Sequence, residues 1–262
     1  MKVRVIAHLL MGACLFSAAA YSAAADERAL EIIRRADEVR SPNKPFRYTL
    51  TIHEFKAGAT RPENKQVLDI SMRFMKPEGE IKADARSLAR FVYPPRDKGK
   101  VLLSDWYDLW FYTPELRRPV PVSRQQRLIG QISNGDVIVT NFEYAYDASL
   151  KGETACGEAR CYVLELVRKS AEVTWPKVMY YVESVGDNRP YKAAYFSLDN
   201  KLIKEVLYQD FQMVLGKMRP MKITVKEVRH GNSYSVMEYS DVRLESSPES
   251  AFTRESIQRG VK

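Results

Sequence analysis

From Phe46 onward, apolar residues recur at every second position. Leu68, Ile70, Met72 and Phe74 alternate with Asp69, Ser71 and Arg73, and Met221, Ile223 and Val225 alternate with Lys222, Thr224 and Lys226. A period of two sends successive side chains to opposite faces of a strand, so each segment has one face for a core and one for water. The same reading predicts strands over 86–94, 100–104, 108–113, 137–146, 160–169, 176–185, 191–198 and 202–212. Turn signals such as Lys151-Gly152, Gly186-Asp187-Asn188 and Asp199-Asn200 separate them at hairpin spacing, which implies a meandering antiparallel sheet. With 45% hydrophobic and 28% charged residues, the chain is neither disordered nor a disulfide-dense miniature. No linker or repeat divides it, so a single domain over 26–262 is expected.

Helices are few. Ala29, Ile32, Ile33, Ala36 and Val39 fall at helical spacing between Asp26 and Arg40, and Ser41-Pro42-Asn43 stops the run. Residues 123–134 carry Leu128, Ile129 and Ile132 among Arg and Gln and end at Gly135. They read as a short amphipathic helix or a mobile loop, and the three apolar residues are candidate lid residues. Residues 249–259 have a weaker helical face of Ala251, Phe252 and Ile257. Either segment could cover one surface of a broad sheet.

The N-terminus reads as a secretory leader. Lys2 and Arg4 precede an apolar run over 5–21, and Ala23-Ala24-Ala25 supplies the small residues of a cleavage site. Cleavage after Ala25 lowers the formal charge from +8 by the two cations removed with the leader. A lipoprotein leader ending at Cys14 is the alternative. No later stretch has the length of a spanning helix. The basic excess is spread along the chain without a block of like charge, so no nucleic-acid partner is expected.

Export gives meaning to Cys156 and Cys161, four residues apart in a predicted turn. A bond across one hairpin is expected, with two separate thiols as the alternative. A zinc site fits poorly, because C-x4-C stands alone beside His53 and His230, so neither a metal nor a cofactor is expected. Enzyme signatures are missing: there is no G-x-S-x-G elbow, no Gly-rich phosphate loop and no H-E-x-x-H pattern. Asp105 and Asp108 flank Trp106-Tyr107, where solvation explains them as well as chemistry does. No catalytic residue is assigned.

The run Trp106 to Arg118 is the most distinctive stretch. Trp110, Phe111, Tyr112, Pro114, Leu116, Arg117 and Arg118 resemble the W-L-Y-x-P-x-L-[KR]-R run of the outer-membrane lipoprotein-sorting proteins, the LolA/LolB-like superfamily. Further elements follow the family's order: Arg90-Phe91-Val92-Tyr93-Pro94 before Lys98-Gly99, Asn141-Phe142-Glu143-Tyr144, Cys161-Tyr162-Val163-Leu164-Glu165-Leu166 and Phe252-Thr253. The resemblance covers roughly residues 26–259. It implies an incomplete antiparallel β-barrel, a strongly curved sheet whose concave apolar face is covered by a few helices and holds acyl chains.

The function so implied is that of a periplasmic carrier for the acyl chains of a lipid or lipoprotein, delivering them towards the outer membrane. An inner-membrane lipid exporter and an outer-membrane acceptor are its implied partners. An accessory subunit of an envelope lipid transporter, lacking its own cargo cavity, is the alternative, and a hydrolase would need a catalytic pair that the sequence does not display. Alternation nominates Leu50, Ile52, Leu68, Ile70, Met72, Phe74, Leu88 and Val92 as one shared face and as cavity candidates. A close-packed core would give the same pattern.

Overall fold

The structure is a computed structural model, and it describes residues 27–75, 84–105, 107–138, 141–228 and 231–259. The leader, its cleavage site after Ala25, Cys14, Trp106, His230 and the side chain of Phe74 lie outside the described residues.

A helix, α1 (27–40), comes first. Ala29, Ile32, Ile33, Ala36 and Val39 are all buried, the stripe its spacing predicts. Glu31, Arg34, Arg35 and Glu38 pair along the wet side at i,i+3 and i,i+4.

Strands β1 (Phe46–Phe55), β2 (Asn64–Met75), β3 (Asp84–Tyr93), β4 (Val101–Asp105), β5 (Asp108–Tyr112) and β6 (Val120–Pro121) form one antiparallel meander. Strands β9 (Tyr146–Cys156), β10 (Ala159–Arg168), β11 (Lys177–Glu183), β12 (Pro190–Phe196), β13 (Leu202–Val214), β14 (Lys217–Glu227) and β15 (Tyr234–Leu244) form a second. β1 pairs with β15, joining both meanders into a 13-stranded sheet with β6 and β9 at its edges. The edges do not pair with each other, so the curved sheet stays an unclosed barrel. The alternation had not revealed β15, the strand that joins the two halves.

The sheet has an inner and an outer apolar surface. On the inner face, Phe46, Tyr48, Leu50, Ile52, Leu68, Ile70 and Met72 join α1 in the main buried cluster. On the outer face, Leu88, Val101 and Leu103 pack with Phe252 and Ile257. The latter two come from a 3-10 turn (Glu249–Phe252) and the following helix α3 (Arg254–Gln258). The C-terminal segment therefore covers the side of the sheet away from α1.

Two expectations about local structure are corrected. Residues 123–134 form neither a helix nor an open loop, but a hairpin of β7 (Arg127–Ile129) and β8 (Ile132–Ser133). Its turn is held by a close approach: Gly130 has φ +54°, and a Cβ there would lie 2.4 Å from Ser235 Oγ and 2.9 Å from Glu54 Cγ. The Gln131 backbone N–H also donates to Ser235 Oγ at 2.9 Å. Residues 137–146 are likewise not a strand. A 3-10 turn (Asn134–Val137) and a helix α2 (Phe142–Ala145), capped by Asn141, lead into β9. Val137, Ile138, Phe142 and Ala145 pack into the main buried cluster, so their apolar character reflects packing against the sheet and not membership of it.

Candidate functional site

A cleft lies between the inner face of the sheet and the segments laid across it. The space in and around it is about 1210 Å³, open solvent at the mouth included. The sheet supplies Phe46 and Tyr48 from β1, Tyr195 from β12, Val206 and Tyr208 from β13, Ile223 and Val225 from β14, and Met237 and Tyr239 from β15. The opposite wall is Arg40 at the end of α1 and Pro42 just after it, Val137 and Ile138, Phe142 and Tyr146, and Val173 and Trp175. Rings and aliphatic chains with a few fixed polar groups are the composition of a site for an apolar ligand.

The covering segments are fastened by buried charge. The Arg40 guanidinium pairs with Asp37 at 2.5 Å and lies 4.1 Å from the centre of the Phe142 ring. Asp37 in turn accepts the Glu143 backbone N–H at 2.9 Å, tying the end of α1 to the start of α2. Burial pushes the Asp37 carboxyl above the usual range, opposed by Arg40. Across the cleft, Lys204 of β13 pairs with Asp136, and its ammonium sits 4.5 Å from the Trp175 ring centre and 5.0 Å from that of Tyr195. Asp136 also accepts from Ser133 N and Oγ, both at 2.8 Å.

The tyrosines stay neutral. Burial raises the pKa of Tyr48, Tyr195, Tyr208 and Tyr239, so their hydroxyls serve as hydrogen-bonding groups. Tyr48 O–H donates to the Val137 carbonyl at 3.4 Å, a contact between β1 and the covering turn. Arg124 donates to the Tyr107 carbonyl at 3.2 Å, and burial lowers its pKa. Asp136 is the one carboxylate among the described lining residues, and Lys204 holds it. The arrangement offers apolar contact and fixed donors to a ligand.

The described cavity candidates do not line this cleft. Leu50, Ile52, Leu68, Ile70 and Met72 share the inner face as expected, but all are 1% exposed or less and lie within the packed cluster. Leu88 sits on the opposite face, and Val92 is the unpaired residue at the irregularity between β2 and β3. The β2–β3 register sets Leu68, Ile70 and Met72 opposite Phe91, Ala89 and Ser87, and sets Leu88 opposite Ser71. β3 has an apolar residue on both faces, so alternation by itself chose the wrong parity. Leu88 is buried under α3, and Val92 is exposed. Of the lid candidates, Ile132 is fully buried while Leu128 and Ile129 pack half-buried against the main cluster. They anchor the chain that leads to Gly135, Asp136 and Val137, which do line the cleft.

Cys156 and Cys161 are bonded at the end of the β9–β10 hairpin. His53 is on the outer face, 3.5 Å from Glu238. Asp105 pairs with Arg86 at 2.9 Å and lies outside the cleft. The missed lining residues had a partial signal: Met221, Ile223 and Val225 were already visible as one strand face.

Known structures share this architecture. A LolA superfamily protein from Nitrosomonas europaea is 30% identical, with TM-score 0.76 over 87% of this chain and 98% of its own. A DUF1329 family protein from Desulfovibrio piger superposes with TM-score 0.75 at 19% identity, over 89% of this chain and 99% of its own. A candidate outer membrane lipoprotein-sorting protein domain from Vibrio parahaemolyticus gives TM-score 0.73 at 18% identity, over 89% and 100%. The last two bear on the fold alone. The profile of a family described as "Uncharacterized protein" matches residues 83–259. No curated protein matches the chain.

Proposed function

The chain belongs to the LolA superfamily, and from that premise we propose that its inner cleft binds the acyl chains of a lipid or lipoprotein and that the protein carries them towards the outer membrane. The observation that carries this reading is the cleft itself, aromatic and aliphatic, set between an unclosed sheet and segments laid over it. A packed barrel core would have no such space. The physics needs no covalent step. Each CH2 group of an acyl chain costs roughly 0.8 kcal/mol in water, and a dry cleft removes that cost. Release then requires only an acceptor or membrane of higher affinity.

The leader-like pattern of residues 1–25 supports a periplasmic carrier, working with an exporter in the inner membrane or an acceptor at the outer membrane. No described helix is long and apolar enough to cross a membrane. Native mass spectrometry of protein isolated from the periplasm without detergent tests the reading. Lipid adducts are expected, lost on organic extraction and restored by adding lipid. Protein that is free of lipid and takes up none would overturn it.

A further inference from the structure

Arg219 is buried in an unusual way for a cation. It is 6% exposed, lies on β14 and lines the cleft. Its Nε donates to the Val214 carbonyl at 3.0 Å, and its Nη1 donates to the Glu38 and Val39 carbonyls at 2.7 and 3.0 Å. A guanidinium has five N–H donors in a rigid fork. Three are satisfied by backbone, which leaves both Nη2 hydrogens without an acceptor among the described residues. No described carboxylate is ion-paired with it. Glu38, whose charge acts on Arg219, is taken by Lys217 and Arg34.

Two other charges of the cleft have a charged partner, while Arg124 is held, like Arg219, by a backbone carbonyl. Arg40 is matched by Asp37, and Asp136 is matched by Lys204. Arg219 is thus a largely buried side chain, fixed in place by carbonyls, in the lining of an apolar cleft. The site is at one end of that cleft. Arg219 pairs with Gln212 near the tip of the β13–β14 hairpin, where Met213 and Leu215 are 68% and 37% exposed. Desolvation lowers the Arg219 pKa, and the nearby charge of Glu38 opposes that shift.

We propose that the cleft takes an anionic amphiphile, with Arg219 Nη2 holding the charged oxygen of the headgroup and the apolar tail running over Ile223, Tyr208 and Tyr239. This rests on the acyl-binding reading above and adds the charge of the ligand to it. A carboxylate of a free fatty acid and a phosphate of a phospholipid share the required chemistry, since either presents oxygens to the planar fork of arginine.

The test is displacement of a fluorescent fatty-alcohol probe from the full protein by matched pairs: palmitate against hexadecanol, and phosphatidylglycerol against diacylglycerol. At least one anionic ligand is expected to bind about tenfold more tightly than its neutral partner, the contribution of a hydrogen bond to a charged group. The pair that shows the preference identifies carboxylate or phosphate as the source. In Arg219→Gln the ratio of anionic to neutral affinity should fall to about one. Arg219→Lys, which keeps the charge, should retain part of it and serves if the glutamine variant does not fold. Equal binding of anionic and neutral ligands by the native protein would overturn the inference and leave the acyl-binding reading intact. So would a preference unchanged in Arg219→Gln. Failure of all four ligands and the probe to bind would overturn both.

Discussion

Lys204 and Asp136 form an ion pair that bridges the sheet and the chain covering it, with side chains 1% and 12% exposed. Removing one member of a buried pair strands the other charge away from water, which costs about 3–5 kcal/mol. Asp136→Asn should therefore lower the free energy of unfolding by roughly 3 kcal/mol in a urea titration. Adding Lys204→Met to it should recover part of that loss, because the stranded ammonium is gone. A double variant less stable than Asp136→Asn would contradict the pairing.

The acidic groups near the end of α1 make a prediction about pH. Burial and the charge of Asp37 raise the pKa of Glu143. A raised carboxyl pKa means that the folded protein binds this proton more readily than the unfolded chain does. Its contribution to stability is present below the unfolded value and is lost as pH rises through the folded one. Glu143→Gln should thus melt higher than the native protein at pH 7, and the advantage should vanish by about pH 4. A melting difference that is constant across that range would count against it.

Packed and ligand-facing positions on the inner face should separate on truncation. Ile70 is fully buried in the main cluster, so Ile70→Ala should cost about 2–5 kcal/mol. Ile223 is half-buried at the cleft, and Ile223→Ala should cost roughly 1 kcal/mol. Urea unfolding of the two variants checks this. Similar losses would mean that both are core.

The Cys156–Cys161 bond closes a very short loop at the edge of the sheet. Chain-entropy reasoning limits its contribution to about 2 kcal/mol. The double Cys→Ser variant should fold and unfold cooperatively with no larger loss. Peptide mapping under non-reducing conditions should find the linked pair in the native protein, and free thiols there would refute the bond.

What the sequence displayed was local. The stripe of α1 and the alternation in Leu68–Met72 and Met221–Val225 are set by neighbours in the chain, and each forms the expected element. The rest depends on contacts between distant residues. β15 is interrupted by Glu238, Ser240 and Asp241, which suit its solvated positions and hide the strand. The β7–β8 hairpin is held by Gly130 and Gln131 against Ser235, more than a hundred positions away. Parity failed in β3 because α3 gives the outer face its own apolar patch. The cleft draws on five strands of the curved sheet and on three covering segments, and local periodicity does not encode how these converge.

The central claim is that lipid occupies the cleft lined by β12–β15 and the start of β1, and not the packed positions from Leu50 to Met72. Titration of a fluorescent fatty acid against Ile223→Trp tests it most directly, because the larger ring fills space at a half-buried cleft position. The account predicts at least a tenfold loss of affinity with a melting temperature close to that of the native protein. Unchanged affinity in a variant that is well folded would contradict it.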